Sequence, residues 1–410
     1  MKEEQQQLSI ILLIVFIGFI GTSIAYPLFP PLFLHPTSDS IIPLSWHENS
    51  RGILLGLALG IFPLGQFIGS PILGGCSDRY SRKRILIISL VGSTLGYFLS
   101  ALSIHFKCFW LLLLSRFLTG LMESNIAIAR AMAADLENIS KFKSFGRINA
   151  AASIGYVMGP LFGGLLSDKH LIPWFSFAFP FFLAMVFSVI ASLLAIFKLS
   201  EKKHATSSTL SIWQRFNLIA RFKLLFKSSM VLKYLLIIST IFTFSVDMFY
   251  EFGPVYLTGL WSITAAGIAI YTAALSVTLS IGNSWLPQYL LRYFSIERAI
   301  VLSMLGTIII FALMVIFPTP LLAFIFFSLV GLTIGAVVTN FTIQISNSAS
   351  QTIQGETLGT QFSLRMLGDA LICFVGGFLI ISSVIVPIAL SCLIALIALI
   401  VYVRKFLYAA

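Results

Sequence analysis

The chain has 410 residues, of which 58% are hydrophobic and only 10% charged, and its mean hydropathy is +0.99. Soluble domains carry about 25% charged residues, so a water-soluble fold is excluded. The apolar content excludes a disordered chain, and four cysteines exclude a secreted disulfide scaffold. The excess of 26 basic over 15 acidic residues, a formal +11, therefore belongs to a membrane protein.

A helix needs about 20 apolar residues to cross the ~30 Å hydrocarbon layer. Twelve stretches qualify: 8–33, 52–76, 85–104, 109–134, 146–168, 174–198, 231–257, 263–287, 299–317, 320–346, 357–382 and 384–403. They are too long and too uniformly apolar for barrel strands, so the expected fold is an all-α polytopic membrane protein. With Met1 placed in the cytoplasm, 20 Lys and Arg residues fall on the inner side. Only Arg51, Lys107 and Lys169 fall outside, and Arg116, Arg130 and Arg365 lie within spans. The positive-inside rule then puts both termini in the cytoplasm. A basic soluble domain for nucleic acid is absent from this pattern. The first stretch lacks a small-residue cleavage pattern and reads as a permanent helix.

In chain order, the first span offers Thr22, Ser23 and Tyr26 ahead of Pro27, Pro30 and Pro31, and the second offers Gln66. The loop after it runs from Gly74 through Asp78, Arg79, Ser81 and Arg82 to Lys83 and Arg84. Its four cations belong on the inner side, where Asp78 can accept charge-assisted hydrogen bonds. In the fourth span Arg116, Gly120, Glu123, Ala127 and Arg130 share one helical face, with Asn125 nearby. A charge at membrane depth costs about 2.5–3.5 kcal/mol on insertion scales, so such residues face a cavity or a partner. A solute or proton role and a buried structural network both remain open for this stripe. Asp135, at the inner end of the span, is disfavoured there without a cation such as Arg82.

The fifth span carries Gly146, Gly155, Gly159, Pro160, Gly163 and Gly164. Ala151, Gly155, Gly159 and Gly163 repeat every fourth residue and lay down a smooth stripe for close helix approach. Residues 201–230 then form a polar interval between residues 1–200 and 231–410. Segment 211–227 within it alternates apolar and basic residues and suits either a surface amphipathic helix or a linker.

In the seventh span Asp247 and Glu251 stand one turn apart. Like charges at that spacing repel, and a carboxyl that binds and releases a proton is what proton-coupled transport requires. The bland alternative places Glu251 at the outer interface and Asp247 at a bend before Gly253 and Pro254. Asn340, Gln344 and Asn347 follow in the tenth span. The eleventh has Gln361, and Arg365 and Asp369 at i, i+4, where opposite charges can neutralise each other. The five histidines all fall in loops, and no metal-ligating Cys spacing, P-loop or nucleophile motif occurs. Neither a metal nor a cofactor is expected, nor enzyme activity, and the cysteines read as free thiols.

A shift of 213 residues places Gly146, Gly155, Gly163 and Gly164 on Gly359, Gly368, Gly376 and Gly377, and Arg79-Tyr80 on Arg292-Tyr293. Parallel six-helix repeats about a membrane-normal axis are a transporter architecture with a site between the halves.

The 74–84 loop resembles the signature loop of the major facilitator superfamily, with Ser81 where that pattern has Gly. The glycine-proline set of the fifth span resembles in full the antiporter motif of its drug:proton antiporter branch. Arg116 and Gly120 are similar to its Arg-x-x-x-Gly element. The resemblance covers essentially the whole chain. It implies twelve helices in two pseudo-symmetric six-helix bundles, alternating access, and a cytoplasmic gate of Gly74, Asp78, Arg79, Arg82 and Asp135. It also implies solute efflux against protons.

The resulting expectation is a monomeric, proton-coupled exporter of a small organic solute in a bacterial inner membrane. Asp247, Glu251, Glu123 and Arg116 are the expected coupling residues. Tyr26, Glu123, Asn125, Arg130, Asp247, Arg365, Asp369 and Asn340 are expected to line the cavity. A proton-coupled importer or facilitator of a nutrient, or a carrier of a metal chelate or siderophore, is the alternative.

Overall fold

The structure, a computed structural model, describes residues 2–35, 39–43, 46–123, 125–134, 136, 139, 141–169, 171–200, 230–348 and 354–407. Most of these residues are helical, and no strand occurs among them. In hydrocarbon every backbone polar group must be satisfied within the protein, which the helix does by itself.

The first half comprises α1 (Lys2–Ser23), α2 (Phe29–Leu34), α3 (Glu48–Arg79), α4 (Arg82–His105), α5 (Phe109–Met122), α6 (Asn125–Ala134), α7 (Lys141–Leu165) and α8 (Phe179–Lys198). The second comprises α9 (Met230–Trp261), α10 (Ala265–Ser284), α11 (Leu286–Leu290), α12 (Ile296–Ile316), α13 (Pro320–Ser348), α14 (Gln354–Leu379) and α15 (Val386–Phe406). Among the described residues, ten helices are long and apolar enough to cross a membrane. The fourth expected span differs in form: it is broken into α5 and α6, with Glu123 directly after the last residue of α5. The eleventh is α14, whose 26 residues reach ~39 Å at 1.5 Å per residue.

Two compact units emerge. One holds Met1–Asn217 with Thr264–Ala269, the other Leu218–Ile263 with Ile270–Ala410. In the first, α7 lies on α1, α5 packs on α3 and α4, and α8 packs on α4. Hydroxyl pairs stitch these contacts: Thr94 donates to Ser188 at 2.9 Å, and Ser100 and Ser115 meet at 2.8 Å. Gln7 of α1 donates to the Lys198 carbonyl and accepts from the Ser200 amide, both at 2.9 Å, tying down the open end of α8. In the second unit, α15 packs on α9 and α12, α13 on α12, and α14 on α9.

The basic turn after α3 needs no left-handed residue. Tyr80 has φ −103° and Ser81 φ −96°, so a serine fits where the superfamily pattern has glycine. Ser81 caps α4 by accepting from the Arg84 amide at 3.3 Å, which satisfies one of that helix's orphan donors. Ser295 does the same for α12 with Arg298, at 3.4 Å.

Arg51, expected in an outer loop, instead lies in the first turn of α3 and is only 4% exposed. Its guanidinium donates to the Phe33 carbonyl and Ser40 Oγ at 3.1 Å, and to the Pro43 carbonyl at 3.4 Å. It therefore fastens α2 and the following loop to α3. The interval 201–229, with the amphipathic segment proposed for it, lies outside the described residues, as do His170, His204 and the side chain of Gln361.

Candidate functional site

The second unit gathers its charges between α9 and α14. Arg365 of α14 donates from Nη2 to Asp247 Oδ1 at 2.8 Å and from Nε to Oδ2 at 3.3 Å. This two-bond geometry is the strong form of the Arg–carboxylate pair. Asp247 is buried, at 3% exposed, while the Arg365 side chain keeps 42% of its surface open. The expected pairing of Arg365 with Asp369 on its own helix is not what forms. A guanidinium satisfied within α14 would leave Asp247 buried without a counter-ion, and burying an unpaired charge is far more costly.

One turn further along both helices, Glu251 of α9 approaches Asp369 and Cys373 of α14. Their ligand-type atoms lie within 4.8 Å of one another, and the Cys373 thiol points at Asp369 Oδ1 at 3.9 Å. The steps 247→251 and 365→369 advance in the same sense, so α9 and α14 run parallel with stacked ionic rungs. Glu251 is 7% exposed, buried like Asp247. Two carboxyls and a thiol this close can share a proton or take a small cation. Among the described residues here, the three acids Asp247, Glu251 and Asp369 stand against one cation, Arg365.

In the first unit Glu123 is the hub. Its Oε2 accepts from Thr22 of α1 at 2.5 Å, and its Oε1 accepts from the hydroxyl of Tyr97 of α4. Arg116, two turns back on α5, does not bond it directly; its Cζ sits 4.2 Å from the centroid of Phe62 and 5.5 Å from that of Phe29. Flat aromatic faces attract such a cation, which explains how it is accommodated at 4% exposure. Gly120 lies against the Phe62 backbone, so this residue serves the α3–α5 contact. Tyr26 stacks obliquely on Tyr156 at 5.9 Å. Asn340 is fully buried in α13, and neither of its amide atoms has a hydrogen-bond partner among the described residues.

The glycines of α7 form a seam with α1. A Cβ at Gly155 would run into the Phe16 carbonyl, at Gly159 into the Ser23 hydroxyl and the Ile20 carbonyl, and at Gly163 into the Ile24 carbonyl, so every fourth residue of α7 meets every fourth carbonyl of α1 and the residue just after it. Gly164 is buried and Pro160 lies inside the helix. Gly146, by contrast, is exposed with nothing within 4 Å of an added Cβ, as is the case for Gly74 in space, if not in exposure. Arg79 is exposed and lies over the Tyr80 ring at 5.9 Å, and Arg82 opens α4. The side chains of Asp78, Asn125 and Arg130, and all of Asp135, lie outside the described residues.

Tyr97, Phe62 and Cys373 join these clusters without having been singled out in the sequence. For Tyr97 a signal exists: it lies near Ser93 and Ser100 on the buried face of α4. For Cys373 the signal is its place one turn after Asp369; its approach to Glu251, remote in sequence, had none.

The Major Facilitator Superfamily family model matches residues 11–373. The chain belongs to the major facilitator superfamily. Among relatives, it is 31% identical over 201 residues to the tetracycline resistance protein, class B, of Escherichia coli, covering 49% of this chain and 46% of that one. It is 28% identical over 272 residues to multidrug resistance protein 1 of Bacillus subtilis, covering 66% and 63%. The matches thus span about half to two thirds of those relatives' length. Among solved structures, a nucleoside transporter NupG (D323A mutant) aligns with TM-score 0.76 at 15% identity, covering 98% of this chain and all of that one. The human organic anion transporter MFSD10 aligns with TM-score 0.70 at 18% identity, covering 97% and 99%. These likenesses carry the fold: this superfamily chain is an all-helical, multi-pass membrane protein.

Proposed function

We propose that this superfamily transporter exports a small organic solute, of the kind handled by drug-resistance proteins, in exchange for protons. The observation that carries this reading is the Asp247–Arg365 pair: a buried carboxylate held at both oxygens by a guanidinium that remains half open. A proton arriving on Asp247 removes the charge that holds Arg365, and the guanidinium is then released toward solute and water. Loss of the proton re-forms the pair. Glu251 and Asp369, one rung away, let the neighbouring site take up charge as the pair opens. Arg116 acts on Glu123 in the first unit in the same electrostatic sense.

Efflux rather than uptake is supported by the glycine seam of α7 and by the tetracycline and multidrug resistance proteins among the relatives. In this reading the protein is a monomer in a bacterial inner membrane. Both termini are cytoplasmic, on the strength of the Lys and Arg distribution. Residues 1–200 and 231–410 are the two six-helix halves, 201–230 links them, and Gly74, Asp78, Arg79, Arg82 and Asp135 gate the inner side. Tyr26, Asn125, Arg130 and Asn340 contribute to the solute path.

The test is drug accumulation in cells expressing the protein. Expression should lower retention of at least one compound from a panel of tetracyclines and lipophilic dyes, and a protonophore should abolish the difference. Asp247→Asn, present in the membrane at equal amount, should retain as much as cells without the protein. Proton-driven efflux undiminished in Asp247→Asn would remove this pair from the mechanism.

A further inference from the structure

The exchange at Asp247 makes no use of the hydrogen bonds around Glu123, which lie wholly within the first unit. Glu123 is 3% exposed, at the break where α5 ends. Its two oxygens are served separately: Thr22 Oγ1 on Oε2 at 2.5 Å, Tyr97 Oη on Oε1. Both hydroxyls point inward because the helices leave room for them. Gly21 of α1 has no side chain where the Tyr97 hydroxyl lies, and a Cβ there would overlap it.

The decisive detail is a second acceptor for Thr22. Its Oγ1 also stands 3.0 Å from the Gly18 carbonyl, one turn back on α1. A threonine hydroxyl has one hydrogen and two lone pairs. With Glu123 ionised, Thr22 donates to Oε2. With a proton on Oε2, the carboxyl becomes the donor to Thr22 Oγ1, and Thr22 turns its hydrogen to the Gly18 carbonyl. Tyr97 donates to Oε1 in both cases. No buried polar atom of this set loses its partner in either state, and the only atom added is the proton. Buried carboxylates in purely structural networks need satisfy one state only; here both are provided for.

Among the described residues, side chains from several helices act on Glu123 or on its charged neighbour Arg116. Tyr97 faces it from α4 and Arg116 from α5; α1 contributes the neutral Thr22 hydroxyl, and α3, packed on α5, contributes the Phe62 ring beneath Arg116. We propose that Glu123 is a proton-carrying carboxyl of the first unit, separate from Asp247 in the second. Thr22 is its positioning residue, which changes from donor to acceptor as the proton loads. This extends the proton-coupled reading above, but its test reads the proton itself and stands whether or not Asp247 carries one.

Infrared difference spectroscopy on the full-length protein in lipid, titrated between acid and alkaline pH, resolves the C=O stretch of protonated buried carboxyls. A band that appears as pH falls should vanish in Glu123→Gln and persist in Asp247→Asn. Thr22→Val, which keeps the shape and loses the hydroxyl, should move the midpoint of that band and leave every other carboxyl band in place. Thr22→Ser should restore the midpoint. Gly21→Ala, which displaces Tyr97, should perturb the same band and no other, so the proposal does not hang on the folding of one variant. A Glu123 band that is absent, or constant, throughout the titration of the wild-type protein overturns the proposal. So does a midpoint indifferent to Thr22→Val. Loss of the Asp247 band alone would instead count against the exchange mechanism and leave Glu123 intact.

Discussion

Arg365 binds Asp247 across the α9–α14 contact and leaves Asp369, one turn along its own helix, to Glu251 and Cys373. A surface helix would favour the local i, i+4 pair. In a packed bundle the more deeply buried acid takes the cation, since an unpaired ion at depth costs more than any local pair returns.

That relationship predicts non-additive stability. Arg365→Gln leaves Asp247 buried alone and should lower the thermal midpoint of the purified protein markedly; Asp247→Asn should do so less, because Arg365 keeps contact with solvent. The double variant, neutral on both helices, should be more stable than Arg365→Gln by about 1–3 kcal/mol, the usual range for directly coupled residues. Transport driven by protons should stay absent in all three. Additive losses in a thermal double-mutant cycle would mean that the pair is not energetically coupled.

The glycine seam between α7 and α1 makes a second, sharply contrasting prediction. Gly155→Val or Gly159→Val places atoms where the Phe16 and Ile20 carbonyls already stand and should abolish both folding yield and transport. Gly146→Ala, in the same motif, meets nothing. At an exposed helical site it should stabilise by about 0.5–1 kcal/mol. Expression level and thermal midpoint distinguish the two; a damaging Gly146→Ala would show that this glycine does something other than pack.

Much of the architecture could be read from residue order alone. Length and hydropathy mark the spans because lipid allows the backbone few options. The stripe of α7 was legible because close helix contact demands small residues at fixed spacing. The second half obeys the same 213-residue offset but uses it differently: Gly368 and Gly376 receive the rings of Phe244 and Phe252 of α9 rather than a neighbouring backbone. Periodicity shows where space is left, not what fills it. For the same reason the charges Asp247, Glu251, Arg365 and Asp369 were identifiable one by one, while their pairing was not. It depends on how α9 and α14 are rotated toward each other. The bonds of Thr22 and Tyr97 to Glu123 were hidden for a related reason, since a hydroxyl reveals its partner only once two helices are in contact. The break after Met122 carries neither Pro nor Gly, so no local signal marks it.

Ser81 offers a third prediction. Because it caps α4 through the Arg84 amide and its backbone is extended, Ser81→Gly should cost only a few tenths of a kcal/mol and Ser81→Ala about 1 kcal/mol. Thermal midpoints of the two variants check the order. A gain of stability with glycine would mean that the turn prefers the residue of the superfamily pattern after all.

The claim of proton-driven export is tested most directly in energised inside-out vesicles carrying a pH-sensitive dye. Adding a transported compound should release protons from the vesicle interior, in proportion to the amount of protein, and Asp247→Asn should abolish that release. Proton-coupled accumulation of a nutrient in right-side-out vesicles, with no compound-triggered release in inside-out ones, would contradict it and make this chain an importer.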